Sequence, residues 1–174
     1  PEQSRGARRS TAMARKESSP EPGRVARYAL FCGLGAGLAS QAMLFAAARA
    51  EGTNPVRPIN ATSHWLWGPG AGAIERLDLR HTAVGLLTNQ SAAMFWGALF
   101  GLHLAGRPRY SDAAILREAA LMGIIASTVD YGLIPERLTP GWELALSKRS
   151  VALAMAAMAL GLGAGGIAAR ARDP

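Results

Sequence analysis

The chain has 174 residues, which corresponds to one domain, and hydrophobic residues make up 49% of it. Its formal net charge of +7 would suit a nucleic-acid partner, but the basic residues crowd into residues 1–27 and short connecting segments, with long uncharged runs between them. This distribution is typical of a membrane protein and argues against nucleic-acid binding. The single cysteine, Cys32, excludes an intrachain disulfide framework and a cysteine-based zinc site.

Residues 1–27 are rich in Arg, Ser, Pro and Glu and show no apolar periodicity. We therefore predict a disordered basic tail there. The tail directly precedes the first apolar run, so its arginines are expected to contact anionic lipid headgroups on the cytoplasmic side. No small-residue cleavage site follows a short apolar region, and no cleaved signal peptide is predicted.

Four apolar runs follow, and about 20 apolar residues suffice to cross a hydrocarbon core of ~30 Å. The runs are residues 28–50, 82–106, 113–133 and 150–169. The third depends on partners or an interfacial position for Arg117, Glu118 and Asp130. The sequence thus predicts an all-α fold, a polytopic membrane protein built as a bundle of about four transmembrane helices.

Glycine pairs at a spacing of four residues mark the first and fourth runs. They are Gly33 with Gly37 and Gly161 with Gly165. Such pairs let another helix approach closely, so we predict that these glycines form helix-packing faces. The faces could serve the bundle itself or a homo-oligomer.

The connection over residues 51–80 is long, polar and rich in proline and glycine. Within it the sequence predicts a short helix over residues 61–67, capped by Asn60 and ended by Gly68. Trp65 suits a headgroup-level position. Loops of this length are often functional.

Two further helix starts are predicted from capping residues. Asp112 is expected to cap the third span. Thr139, followed by Pro140, is expected to start a surface helix that runs through Trp142 and Leu146 before the fourth span.

The distribution of Lys and Arg predicts the orientation. The side that holds the tail, residues 107–112 and the C-terminus carries more of them than the other side. The positive-inside rule then places both termini in the cytoplasm of a bacterial inner membrane. The excess of Arg over Lys and the abundant Ala and Gly suggest a GC-rich bacterial genome.

On the outer side, His81, Asn89 and Asp130 could line one vestibule. A carboxylate at the edge of a span is unfavourable unless it is hydrated or paired, so Asp130 is either a structural group, for example paired with Arg80, or part of an ion path. Asn89 lies inside a span, where an amide either hydrogen-bonds another helix or belongs to a substrate site.

Other kinds of site are not predicted. His103 lies at the opposite end of its helix from His81, and the histidine spacings match no zinc motif. The sequence contains no nucleophile elbow and no phosphate-binding loop. We therefore predict no metal, no cofactor and no catalytic residue.

The run Ile59–Gly68, followed by Leu79–Thr82 and a span that contains glycine, resembles a group of uncharacterised small proteobacterial inner-membrane proteins. The resemblance covers about half the chain, from the first span through the second. It implies a bacterial membrane protein and no catalytic residues. It also implies that four residues form one outer-face cluster, namely Asn60, His64, Trp65 and His81.

Three functions remain as hypotheses. The first is a non-enzymatic membrane component, as an accessory subunit of a larger membrane complex or a homo-oligomer. The second is a small transporter or channel subunit that uses Asp130 and Asn89. The third is an outer-face metal-dependent enzyme that acts through His64 and His81.

Overall fold

The computed structural model describes residues 20–107 and 110–173. Within these ranges all regular secondary structure is helical and no strand occurs, which confirms the predicted all-α class. The helices are α1 (Pro22–Ala50), α2 (Arg57–Ala61), α3 (His64–Trp67), α4 (Val84–Ala105), α5 (Asp112–Thr128) and α6 (Lys148–Arg170). π-Helical turns over Leu79–Ala83 and Val129–Leu133 extend α4 at its start and α5 at its end.

The first helix begins earlier than the sequence predicted. Pro22 lies in its first turn, where a missing N–H costs nothing, so residues 22–27 of the predicted disordered tail are helical. Arg24 in this turn and Arg27 in the next both form ion pairs with Asp173, with 2.8 Å between Arg24 Nε and Asp173 Oδ2. Residues 1–19 of the predicted tail lie outside the described residues.

The predicted helix over residues 61–67 is wrong in its start and right in its end. Two short helices, α2 and α3, replace it, and Asn60 lies inside α2 instead of capping a helix. Gly68 ends α3 with a φ of +78°, a backbone conformation that favours glycine.

Asp112 is not the cap of α5 but its first residue. The cap is Ser111, whose hydroxyl oxygen accepts a hydrogen bond from the backbone N–H of Ala114 at 3.2 Å. A hydroxyl one residue earlier performs the role that the sequence assigned to the carboxylate.

The surface helix predicted to start at Thr139 is also wrong. The Thr139 hydroxyl donates to the carbonyl of Glu136 at 2.9 Å, and Gly141 adopts a φ of +80°, which is incompatible with a continuing helix. Only a 3₁₀ turn forms, over Trp142–Leu144. Helix α6 begins later, where the Ser147 hydroxyl caps it.

The four long helices run antiparallel to their neighbours in the spatial order α4–α1–α6–α5. Helix α1 packs on α4 through Gly33, and a methyl group added at Gly97 would overlap the Gly33 backbone. Gln90 of α4 donates from Nε2 to the Gly33 carbonyl at 3.2 Å. Gln90 thus makes an interhelical hydrogen bond, which is one of the two alternatives that the sequence leaves open for the neighbouring Asn89.

The opposite side of α1 packs on α6 in the same way. A methyl group at Gly161 would overlap Gly35, and one at Gly165 would overlap the backbone of Phe31. Together with Gly33, the α6 glycines therefore serve contacts within one chain.

The core contains both large and small apolar side chains, and the surface carries large ones. Buried residues include Phe100, Leu104, Ile115 and Leu162 beside Cys32 and several alanines. Two helices, α1 and α6, are long and apolar enough to cross a membrane, with mean hydropathies of 1.6 and 1.9. Helix α4 contains Asn89 and Gln90, and α5 has only 17 residues.

Candidate functional site

The two connecting segments pack together at the end of the bundle where α1 ends and α4 begins. His64 Nε2 and Trp65 Nε1 both donate to the carbonyl oxygen of Thr139, at 2.9 and 2.7 Å. The Thr139 hydroxyl lies within hydrogen-bond distance of the Glu143 carboxylate, at 2.6 Å, as well as of the Glu136 carbonyl, and its single proton is shared between these two acceptors. We call this end of the molecule, made by residues 51–83 and 134–147, the outer cap.

Asn60 joins the long connection to the start of α4. Its Nδ2 donates to the carbonyls of Ile74 and Arg76 at 2.8 and 3.1 Å, and its Oδ1 accepts from the Thr82 hydroxyl at 2.7 Å. Asn60 is 0% exposed, so these three bonds satisfy an amide that is shielded from water.

His81 pairs with Asp78 in the turn before α4. Asp78 accepts from the His81 backbone N–H at 2.6 Å and contacts its ring Nδ1 at 3.0 Å. The backbone bond, then the side-chain bond, lowers the pKa of Asp78 from its usual value. His81 is thus part of a capped turn.

Glu51 links the end of α1 to the start of α6. Its carboxylate accepts hydrogen bonds from the side chains of Ser147 and Ser150, the latter at 2.5 Å. These two bonds lower the pKa of Glu51. Glu51 therefore holds the outer ends of the two helices together.

A groove with a cavity volume of about 710 Å³ lies between α4 and the end of α5, which touch little. Ser40 of α1 and Met158 of α6 line it on the bundle side, and Thr62, Trp65 and Trp142 line it from the outer cap. Most of the remaining wall is apolar. We call this cavity the α4–α5 groove.

Three polar side chains of the groove decide its chemistry. Asn89 is 7% exposed and Trp142 is 2% exposed, yet Asn89 Nδ2 and Trp142 Nε1 have no hydrogen-bond partner within residues 20–107 and 110–173. Asp130 lies in the same wall of the groove as the buried indole of Trp96, which is 6% exposed. The groove thus combines one carboxylate with two buried donors that lack acceptors.

The structure divides the predicted outer cluster between two places. Trp65, Asn89 and Asp130 line the groove. Asn60, His64 and His81 hold the outer cap together, so the predicted vestibule keeps Asn89 and Asp130 but not His81.

The pairing of Asp130 with Arg80 is not formed. The Arg80 guanidinium lies 4.4 Å from the centre of the Trp67 ring, while the Trp67 indole donates to the Arg80 carbonyl at 2.8 Å. A cation over an aromatic face is a favourable arrangement that occupies this arginine within its own segment.

Sequence reasoning missed Trp96 and Trp142 as groove residues. Trp142 was expected on a surface helix, and Trp96 carries no motif. A tryptophan in the middle of a span beside a polar stretch was the available signal, because a buried indole needs an acceptor for its N–H.

The charged residues of α5 near the other end of the bundle find partners. Glu118 pairs with Arg117 at 3.0 Å and with His103 of α4 at 3.3 Å. Arg170 of α6 forms an ion pair with Asp112. Arg117 and Glu118 of the third predicted span thus have partners, whereas Asp130 forms no ion pair within the described residues.

A second cavity, of about 940 Å³, forms a furrow on the outside of α5 and α6. Small side chains make its floor, and Tyr131, Glu143 and Lys148 lie at its outer end. In the described part of the chain, no group of three or more His, Cys, Asp or Glu side chains is placed to hold a metal ion.

Comparisons with known proteins identify no relative. No protein-family model matches the chain, and neither a curated protein nor a solved structure matches it.

Proposed function

We propose that this chain is a multi-pass protein of the bacterial inner membrane in which all four long helices cross the bilayer. The observation that carries the proposal is the set of large apolar side chains on the outside of each long helix. They include Leu38, Leu87, Phe95, Ile124, Leu153 and Leu160, each between 46% and 68% exposed. A water-soluble protein rarely leaves such a continuous apolar surface uncovered, whereas a bilayer covers it.

The packing supports four spans over two. Helix α4 lies antiparallel along α1, and α5 lies antiparallel along α6, so a bilayer crossed by α1 and α6 surrounds the other pair as well. Helix α4 has 22 residues, about 33 Å at 1.5 Å per residue. Its π-helical turn carries α5 on to Leu133, which gives a similar length.

The function that this architecture supports best is that of a non-enzymatic component of the membrane. Its outer polar residues hold the cap together instead of converging on a reactive group, as His64 on Thr139 and Asn60 on Thr82 illustrate. The furrow between α5 and α6 leaves room on the lipid-facing surface for a partner or a second copy.

Transport is the second candidate, and the α4–α5 groove with Asn89 and Asp130 favours it. Towards the other end of the bundle, however, Phe100, Leu104 and Ile115 are at most 2% exposed and fill the interior. A transport path would have to displace these side chains or continue along a subunit interface.

The mass of the purified particle tests the component hypothesis. Native mass spectrometry of the full chain, extracted in a mild detergent, is expected to show more protein than one copy of 18.2 kDa. Multiples of that mass identify a homo-oligomer, and a different added mass identifies an accessory subunit. A particle with a single chain and full helical content contradicts the hypothesis.

A further inference from the structure

We propose that the α4–α5 groove binds the head of an amphiphile that carries a primary ammonium next to an acceptor oxygen, the chemistry of an ethanolamine phospholipid. The inference rests on the membrane placement proposed above, because the groove opens sideways between two helices. Its volume of about 710 Å³ lies within the usual range for small-molecule sites.

The position of the groove determines how such a molecule enters. Leu87, Phe95 and Leu138 line it and are at least 45% exposed on the outside of the molecule. Apolar chains can therefore stay on the helix surface in the bilayer while the head turns inward below the outer cap. A fully polar ligand would gain nothing from these apolar walls.

The charge of the groove favours a lipid headgroup that contains a cation. Among residues 20–107 and 110–173, Asp130 is the one charged side chain that lines it, and no Lys or Arg of these ranges does so. In a site of low dielectric, a carboxylate attracts an ammonium group and repels an anionic head that brings no compensating cation. The groove therefore favours a zwitterionic lipid over an anionic one.

The two unpartnered N–H donors are suited to the phosphate group of the same lipid head. Asn89 Nδ2 and Trp142 Nε1 are buried N–H groups that find no acceptor in the part of the chain that the structure describes, and both side chains are at least nine-tenths buried. Buried donors are almost always hydrogen-bonded in folded proteins, and phosphate oxygens next to the ammonium would satisfy both.

A primary ammonium also differs from a quaternary one. It has three N–H donors for the Asp130 carboxylate, whereas a choline head has a similar charge and no donor. The arrangement thus predicts a preference for ethanolamine over choline as well as over glycerol heads.

The experiment uses the purified full chain in detergent, stripped of lipid and mixed with equal amounts of phosphatidylethanolamine, phosphatidylcholine and phosphatidylglycerol with identical acyl chains. Native mass spectrometry is expected to show the ethanolamine lipid retained about tenfold more than either competitor. Asp130→Asn, which keeps the shape and removes the charge, should abolish this preference. Glu118→Gln, the matched control at the other end of the same helix, should keep it.

Asn89→Leu provides a second variant if Asp130→Asn does not fold. It removes one donor without removing the carboxylate, and it should reduce retention of all three phosphate lipids. Equal retention of the three lipids by the wild-type chain overturns the proposal, as does a preference that Asp130→Asn leaves unchanged. If carbonate washing also releases the chain from membranes, the membrane placement itself fails; a chain that resists washing but shows no lipid preference contradicts only the groove assignment.

Discussion

Asn60 and Asn89 are the same residue type, both nearly buried, and the structure uses them differently. Asn60 makes three hydrogen bonds and closes the long connection onto α4. Asn89 lies in the groove wall, and its Nδ2 has no hydrogen-bond partner among the described residues. A buried amide without partners is destabilising, so an unsatisfied one points to a ligand, and a satisfied one points to structure.

At this scale, Asp78 provides a test by pH. Hydrogen bonds from His81 lower its pKa in the folded protein, so its stabilising effect is complete above the unfolded pKa of about 3.9 and is lost as the pH falls towards the folded value. Asp78→Asn should therefore lower the melting temperature in detergent at pH 7. The difference from the wild type should shrink below about pH 4.

Glu75→Gln serves as the control for Asp78, because it removes a nearby carboxylate that is 60% exposed. It should leave the melting temperature and its pH dependence almost unchanged. A difference between wild type and Asp78→Asn that stays constant from pH 7 to pH 3 would contradict the role given to Asp78.

At the scale of the helices, close backbone contact replaces large interdigitating side chains. Between α1 and α4, Gly97 lies against Gly33; between α1 and α6, Gly161 lies against Gly35. Such contacts suit a helix bundle in lipid, where association depends on close packing because the lipid is as apolar as the side chains.

Gly97→Ala tests this packing. The added methyl group would overlap the Gly33 backbone, which cannot move aside as a flexible side chain does, so we expect a loss of about 1–3 kcal/mol. Thermal unfolding in detergent, followed by circular dichroism, measures it.

Gly106→Ala is the matched control for this helix. Gly106 is exposed, its φ is −78°, and the nearest atom to an added methyl is 3.5 Å away. Its effect should stay within about 0.5 kcal/mol. Equal stability of the two variants would show that α1 and α4 are not in close contact.

At the scale of the whole molecule, polar links join α1 and α6 at both ends. Glu51 accepts from Ser150 at the outer end, and Asp173 pairs with Arg24 and Arg27 at the other. These links keep the central helix pair in register while α4 and α5 pack on either side. Each end of this helix pair is therefore fixed by its own set of polar contacts.

Cysteine labelling tests the orientation. In a Cys32→Ala background, Gly70→Cys lies on an exposed position of the outer cap and Gly106→Cys lies at the opposite end. A membrane-impermeant maleimide should label Gly70→Cys in intact spheroplasts and Gly106→Cys only after permeabilisation. The reverse result would invert the orientation, and labelling of both positions in intact spheroplasts would exclude the proposed four-span arrangement.

Local patterns were sufficient for the helical class and for the approximate positions of the long helices. The spans predicted over residues 82–106 and 150–169 agree with the bounds of α4 and α6 within a few residues. Helix starts predicted from capping residues were less reliable. The Thr139 hydroxyl and the Asn60 amide can each hydrogen-bond to several backbone groups besides the N–H groups at a helix start. Tertiary contacts decided that competition, as the Asn60 bonds to Ile74 and Thr82 illustrate.

The sequence by itself determined that the chain is helical, that its glycines mark close helix contacts and that Asn89 and Asp130 are unusual for their surroundings. These are properties of composition and spacing, which the chain carries before it folds. Tertiary structure alone decided that the two side chains share a groove, because they lie 41 positions apart on helices that barely touch. It also brought Trp142 to them, since Gly141 turns that segment back over the groove.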